Sequence, residues 1–188
     1  VANMESLQAV APGVQFGQSG ANTIVTVRGV SGRDTSEIGD PAVAINMDGI
    51  FLQRPAGMNA AFFDLDRIEV LRGPQGTLYG RNATGGAVNF ISAKPTDELA
   101  GYVKAGYAGY DHASLEGVIS GPISERISAR LAANFLDAGE GWIENLQPGE
   151  KDLMMGQKSN LRLVVDMDVT DNLAATFTYG QSSMTGPW

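Results

Sequence analysis

Apolar and polar side chains alternate along much of the second half of the chain. The pattern is clearest from Arg126 to Leu136, where one face carries Ile, Leu, Phe and Ala and the other is largely polar. It repeats at Asn160–Asp168 and Asn172–Gly180, with weaker versions at Ala100–Tyr110 and Ala113–Ile119. Successive side chains of a strand point to opposite faces, so these segments are predicted β-strands with one apolar and one polar face.

The connections between these predicted strands differ in length. Gly121–Glu125, Val169–Asp171 and Tyr110–His112 are short, whereas Ala138–Gly156 is long and rich in Gly, Glu and Pro. Outer-membrane barrels have short periplasmic turns and longer outside loops. A soluble antiparallel sheet with one buried face would show the same local alternation, so the pattern alone leaves both architectures open.

The first half of the chain is irregular and rich in turns. Two strand-like segments, Arg67–Leu71 and Ala87–Ile91, flank a stretch in which glycine supplies positive φ angles and close backbone approach. The composition changes at Lys94–Thr96, which predicts two domains, residues 1–96 and 97–188. The glycines of this stretch, which we expect to form structural turns, are Gly73, Gly76, Gly80, Gly85 and Gly86.

The overall composition argues against several classes of protein. The 188 residues include no cysteine, so disulfides and thiolate metal sites are excluded. A net charge of −8 with only 13 Lys and Arg argues against nucleic-acid binding. No apolar run approaches the roughly 20 residues of a membrane helix, although the alternating strands of a barrel would not produce one.

A series of short motifs runs through the first half in a fixed order. They are Pro12-Gly13-Val14, Val27-Arg28-Gly29-Val30, Asp48-Gly49, Arg67-Ile68-Glu69-Val70, Leu71-Arg72-Gly73-Pro74, Leu78-Tyr79-Gly80 and Gly85-Gly86-Ala87-Val88-Asn89. Together they closely resemble the plug domain of TonB-dependent outer-membrane receptors. The fold that this resemblance implies is a mixed α/β plug domain followed by antiparallel strands of a transmembrane β-barrel. Plugged transporters use about 22 strands, so five strands would form an incomplete barrel, and we expect a fragment that lacks the N-terminal TonB box.

The resemblance also implies a function. Such receptors lie in the bacterial outer membrane and take up a scarce extracellular ligand, such as a ferric siderophore. Their partners are the membrane lipid, the small ligand, and a TonB-type energy-transducing protein that grips a segment absent from this chain. We therefore expect no enzymatic activity, no catalytic residues, no cofactor, no metal site and no nucleic-acid partner. The alternative is a soluble all-β binding or adhesion module.

Two groups of residues are candidate sites by the same resemblance. In the family, arginines matching Arg28 and Arg72 pair with barrel glutamates and latch the plug, and Arg suits this because its planar fork meets a carboxylate bidentately. Glu69 either joins this latch or is a surface residue. The loops after Arg28-Gly29 and Asp48-Gly49 rise to the apex of the family's plug and touch the ligand. Their candidate ligand-binding residues here are Arg33, Asp34, Gln53, Arg54, Met58 and Asn59.

Other chemistry is less well supported by the residues. The Gly80–Gly86 stretch lacks the Lys and the Ser or Thr that a phosphate-binding P-loop requires after its second glycine. Asp64 and Asp66 could share a strand face as an acid and base, but a surface or capping role explains them better. His112 is the single histidine of the chain, so a histidine-based metal or nucleophile site has no second imidazole.

Overall fold

The computed structural model forms two compact units, Val1–Ala93 and Lys94–Trp188. This division falls within a few residues of the boundary predicted at residue 96. Among the described residues, no helix is long and apolar enough to cross a membrane. The residues that the structure describes are 11–19, 22–31, 41–52, 63–76, 82–141 and 156–186.

Two small sheets build the first unit. The strands found among its described residues are β1 (Val14–Ser19), β2 (Asn22–Val27), β3 (Val30–Ser31), β4 (Val43–Met47), β5 (Ile50–Phe51), β6 (Leu65–Arg72) and β7 (Gly86–Ser92). One sheet has the order β1-β2-β3 and the other β5-β4-β7-β6. The β4–β7 pair is parallel, and the other pairs are antiparallel. The described part of this unit contains no complete helix, so the helical component of the expected α/β plug is not confirmed.

The core of the first unit lies between its two sheets. β-branched residues, which fit a pleated surface well, supply most of it. The side chains of β1 and β2 meet those of β4 and β7 in one apolar cluster. Its buried members are Val14, Val25, Val27, Val43, Ile45, Val88 and Phe90.

The described residues of the second unit form one antiparallel meander. The strands found there are β8 (Ala100–Ala108), β9 (His112–Ser124), β10 (Ile127–Ala138), β11 (Gly156–Thr170) and β12 (Leu173–Thr185). Each strand pairs with its neighbour along the chain, in the order β12-β11-β10-β9-β8. A membrane-crossing strand needs about 9–11 residues, and these strands have 9, 13, 12, 15 and 13.

One predicted turn is wrong. Gly121–Ser124 continues strand β9, and the turn is reduced to Glu125 and Arg126. The proline there is tolerated because β8 begins at Ala100, opposite Ser120, so Pro122 has a strand partner only on the β10 side. Proline lacks an N–H and is acceptable where one edge of the strand is unpaired. Arg126 therefore lies in the turn, where it forms an exposed ion pair with Asp171 at 2.8 Å.

The burial of the second unit is the reverse of that expected for a soluble sheet. Large apolar side chains on one face are exposed: Leu131 by 43%, Phe135 by 41% and Phe177 by 54%. On the opposite face Arg162 is only 7% exposed and Ser120 only 2%. Three further residues predicted to share the exposed face, Ile127, Leu163 and Val165, are half-buried.

Candidate functional site

Arg28 and Gly29 form the two-residue turn between β2 and β3. Their φ angles are 51° and 81°, and Val27 pairs directly with Val30. Two successive positive φ values are the signature of a type I′ hairpin, whose twist matches that of the flanking strands. The turn holds the Arg28 side chain at the surface, exposed to solvent.

A second turn, Ala11–Val14, is hydrogen-bonded to this hairpin. In Ala11-Pro12-Gly13-Val14, the Val14 amide donates to the Ala11 carbonyl at 3.1 Å, and Gly13 has φ of 81°. Pro at the second position and a positive-φ Gly at the third define a type II turn. The Arg28 amide then donates to the Gly13 carbonyl at 2.7 Å. The Pro-Gly-Val and Arg-Gly motifs thus form one structural feature.

Asp48 and Gly49 repeat the hairpin geometry between β4 and β5. Their φ angles are 49° and 82°. The Asp48 carboxylate also accepts hydrogen bonds from the Ser92 amide at 2.8 Å and from the Ser92 hydroxyl at 2.7 Å. An Asp-Gly pair between strand-like segments is a strong hairpin signal, but nothing in the sequence shows that Asp48 fixes the end of β7, 44 residues away.

The glycines after β6 occupy crowded or left-handed positions. Gly73 has φ of 89°, and its amide donates to the Gly85 carbonyl at 3.2 Å. A Cβ on Gly85 would lie 2.8 Å from a methyl carbon of Val30. A Cβ on Gly86 would collide with the Leu71 carbonyl oxygen. Gly76 is exposed with open space around it, and Gly80 lies outside the described residues.

Arg72 ends β6 opposite Gly86 and is exposed, as Arg28 is. Within the described part of the chain, neither guanidinium makes an ion pair. Both guanidiniums belong to exposed residues of the first unit. Their pairing with barrel glutamates remains a prediction.

Glu69 is engaged within its own sheet. Its carboxylate accepts a hydrogen bond from Arg67 Nε at 2.8 Å, and Arg67 also contacts Asp66 at 2.7 Å. The hydrogen bond from Arg67 lowers the pKa of Glu69, and the side chain of Asn89 adds a smaller effect in the same direction. The same contacts raise the pKa of Arg67. Asp66 is thus a surface ion-pair partner in this sheet.

Two buried asparagines lie next to Glu69 in this sheet, since Glu69 pairs with Asn89 and Asn89 pairs with Asn46. Asn46 and Asn89 are 3% and 5% exposed, and Asn46 Nδ2 donates to Asn89 Oδ1 at 2.9 Å. The parallel pairing of β4 with β7 aligns them. Sequence reasoning missed this pair, because period-two alternation gives each residue's face but not which strands are neighbours. Within the described residues, no group of three or more acidic or histidine side chains could hold a metal ion.

The residues predicted to bind the ligand all lie outside the described residues. They are Arg33, Asp34, Gln53, Arg54, Met58 and Asn59.

The polar face of the second unit carries a hydrogen-bonded cluster near one edge. Glu116 accepts from the Tyr102 hydroxyl at 2.7 Å and from Lys104 Nζ at 3.3 Å. The Lys104 ammonium also lies 4.3 Å from the centre of the Tyr102 ring, within the range of a cation–π contact. Asn160 Nδ2 donates to Asn134 Oδ1 at 3.1 Å in the next pair of strands.

Register joins these contacts into a line across the sheet. Lys104 lies opposite Glu116, Glu116 opposite Asn134, and Asn134 opposite Asn160. Four strands therefore present one continuous polar strip, with a charged end at β8 and β9 and an amide end at β10 and β11. The alternation of the sequence predicts this face but not the strip, which depends on the register.

Comparison with known proteins identifies the family. Residues 1–87 match the family described as the TonB-dependent Receptor Plug Domain. The chain is 32% identical over 151 residues to the pesticin receptor of Yersinia pestis, a match covering 79% of this chain and 22% of that protein. The chain belongs to the TonB-dependent receptors. The resemblance read from the motifs is therefore confirmed.

Two further relatives of this receptor chain agree. The iron-regulated outer membrane virulence protein of Vibrio cholerae is 30% identical over 157 residues, covering 75% of this chain and 23% of that protein. The crystal structure of the ferric yersiniabactin uptake receptor FyuA from Yersinia pestis matches with a TM-score of 0.77 and 26% identity, covering 95% of this chain and 28% of that one.

These relatives indicate the cellular location and the class of protein. They are outer-membrane receptors of Gram-negative bacteria, so the predicted location is confirmed. They are transport receptors rather than enzymes. The chain spans less than a quarter of the length of the two curated relatives compared.

Proposed function

We propose that this chain is part of an outer-membrane receptor that takes up a ferric siderophore with energy from a TonB-type partner, and that it has no enzymatic activity. The observation that carries the proposal is the reversed burial of the five-stranded sheet, which follows a plug-type unit in the sequence. In water, the large side chains of the apolar face would be covered and the charged ones exposed. Here the apolar face is the exposed one.

The membrane is the environment that suits such a sheet. Barrel strands alternate apolar side chains toward lipid with polar side chains toward the interior. The polar strip from Lys104 to Asn160 would then face the interior, and Leu131, Phe135 and Phe177 would face lipid. The soluble-module alternative would leave these apolar side chains in water, where monomeric proteins rarely tolerate a large contiguous apolar patch.

The finer architecture follows from the same proposal. The first unit is the plug, and its mixed α/β character would come from segments outside the described residues. The second unit supplies five of about 22 barrel strands. An open sheet edge in lipid leaves backbone groups unpaired at several kcal/mol each, so β8 and β12 would pair with other strands of the complete receptor.

Arg28 and Arg72 are proposed to latch the plug. Arg28 lies in the two-residue turn between β2 and β3, and Arg72 is the last residue of β6. Both are exposed and lack an ion-pair partner among the described residues. Glu69 is less suited to that role, because its carboxylate is already held by Arg67 at 2.8 Å.

The ligand class is proposed from the loops and the relatives together. Arg33 and Arg54 offer charge-assisted donors, Gln53 and Asn59 offer amides, and Met58 offers adaptable apolar contact. These groups suit an anionic, oxygen-rich chelate. The ligand named for the structural relative, ferric yersiniabactin, is an iron chelate. Uptake of a ferric siderophore is therefore the most specific function that the residues support.

The test is ligand binding and uptake by the full-length receptor carrying Arg33→Ala and Arg54→Ala together. We expect binding of ferric siderophores to weaken about tenfold or more, because each lost charge-assisted hydrogen bond contributes about 1.5–3 kcal/mol. The matched control is Arg126→Ala, which removes an exposed arginine from a turn of the second unit and an ion pair of little energetic value. Surface expression of all variants is measured in parallel.

Unchanged binding and uptake in the double variant would show that Arg33 and Arg54 do not contribute to the ligand-binding site. Absence of any siderophore uptake by the wild-type receptor, despite normal surface expression, would overturn the proposed ligand class.

A further inference from the structure

The exposed apolar face of the second unit contains a groove. Its floor follows one line of register across four strands, in which Val103 lies opposite Gly117, Gly117 opposite Ala133, and Ala133 opposite Leu161. The two central positions are the small ones. A Cβ added to Gly117 would meet no atom within 4 Å, so the floor opens directly outward.

Bulky side chains from the adjacent lines of register wall the groove. Leu115 and Phe135 stand on one side, and both are exposed. Ile119 and Leu131 stand on the other side and are also exposed. A space of about 500 Å³ lies over the floor and is lined by Leu115 and Phe135, together with Asn134, Ser159, Asn160 and Gln181. The groove is thus a furrow between Leu, Phe and Ile side chains above a Gly–Ala floor.

Polar residues line the groove on β10, β11 and β12. Asn134 and Asn160 belong by register to the polar face, and Ser159 and Gln181 to the apolar face. Ser159 lies opposite Phe135, and Gln181 lies opposite Leu161, so both side chains share the exposed face. The Gln181 amide oxygen accepts a hydrogen bond from the Tyr179 hydroxyl at 3.3 Å. An occupant that fits this lining is long and apolar, with a polar group at one end.

We propose that this furrow, the Gly117 groove, binds the acyl chain of a membrane lipid, with the ester end of the chain beside Ser159 and Gln181. This inference rests on the proposed function, because it requires the apolar face to lie in the membrane. The groove opens on that apolar face, which meets lipid in the proposed fold. Lipid is therefore the component that reaches it.

The backbone argues against a protein occupant. The groove lies on the face of a sheet whose backbone groups are already paired between strands. An extended peptide segment placed there would leave its own N–H and C=O groups without partners in hydrocarbon, at several kcal/mol each. An acyl chain has no such groups along its length.

The experiment uses the full-length receptor in phosphatidylcholine vesicles that contain a photoactivatable diazirine on the acyl chain. After irradiation, labelled peptides are mapped by mass spectrometry. We expect labelling to concentrate around Leu115–Ile119 and Leu131–Phe135, compared with the equally exposed outer face of β12. Gly117→Leu, which fills the floor, should lower that labelling several-fold.

Two controls separate filling from misfolding. Ala129→Leu adds the same kind of bulk on the same face of β10, outside the groove, and should leave the pattern unchanged. Ala133→Leu is a second filling variant and should repeat the loss. Only variants that reach the outer membrane at wild-type level and take up ligand normally are compared.

Three outcomes would overturn the inference. Uniform labelling of the outer face, unaffected by Gly117→Leu, would mean that lipid contacts the groove no more than its surroundings. Loss of labelling confined to Leu115–Ile119 and Leu131–Phe135, with the rest of the apolar face labelled, would mean that an occupant other than lipid covers the groove. Absence of labelling at every apolar position of the sheet would refute the membrane location of this face, and with it the proposed function itself.

Discussion

Residues with positive φ angles mark the family motifs of the plug. Asp48 and Gly49 suit such a turn, because Asp and Gly tolerate the left-handed region. Arg28 does not, yet it holds φ of 51° at the same place in its hairpin. A non-glycine residue in this region costs on the order of 1–3 kcal/mol. An exposed arginine kept at such a position therefore indicates that its guanidinium is needed, which supports the proposed latch.

Gly86 gives the sharpest prediction at this scale. Gly86→Ala places a Cβ against the Leu71 carbonyl oxygen at a backbone φ of 145°. The strained backbone alone costs of the order of 1–3 kcal/mol, and the displaced β6–β7 pairing adds to it. We expect reduced thermal stability of the plug and less receptor at the cell surface. Protease sensitivity and surface immunolabelling measure this.

Gly17→Ala is the matched control for this change. Gly17 lies in β1 of the same unit, has no positive φ and has open space where a Cβ would stand. Its replacement should leave both readouts at wild-type level. Equal behaviour of the two variants would show that the Gly86 contact is easily relaxed.

At the scale of elements, periodicity predicts the strands better than their ends. All five strands of the second unit are anticipated by the alternation of the sequence. The end of β9 is not, because Gly121 and Pro122 are turn-forming residues whose strand conformation depends on the register with β10. The Asn46–Asn89 pair is hidden for a related reason: parallel pairing across 43 residues brings it together. The candidate ligand-binding residues, such as Arg33 and Arg54, rest only on the family resemblance, because no pattern of the residues themselves indicates them.

Leu163→Arg tests which face of the sheet meets lipid. Leu163 lies opposite Leu131 and Tyr179 on the apolar face. An arginine at the bilayer midplane on a lipid-facing position costs roughly 2–4 kcal/mol, so we expect a large loss of assembled barrel. Heat-modifiable mobility of the outer-membrane receptor measures assembly.

Thr178→Arg is the control on the opposite face. It lies on the neighbouring strand, opposite Val164, where a polar side chain points to the barrel interior in the proposed fold. Assembly should change far less than with Leu163→Arg. The reverse order would exchange the two faces and contradict the barrel interpretation.

At the scale of the whole molecule, the two units differ in how far they bury their apolar side chains. The first unit buries one apolar cluster between two sheets and needs no further cover for it. The second unit has no comparable apolar cluster among its described residues, and many of its large apolar side chains are exposed, including Leu131, Phe135 and Phe177. In the proposed fold, a bilayer covers these side chains and further strands pair with β8 and β12.

The proposed latch would join the plug to the barrel, which gives a prediction for the complete receptor. Arg28→Ala with Arg72→Ala removes both guanidiniums while keeping the turns, since neither side chain bonds within the described part of its own unit. Barrel glutamates would then be left without partners, and one unpaired buried charge costs about 3–5 kcal/mol. We expect the plug to be held less firmly, so that a large hydrophilic antibiotic enters cells several-fold faster without ligand. Arg126→Ala is the control, because it removes an arginine whose partner, Asp171, lies in a neighbouring turn of the same sheet. Wild-type permeability in the double variant, with the receptor present at normal surface levels, would refute the latch.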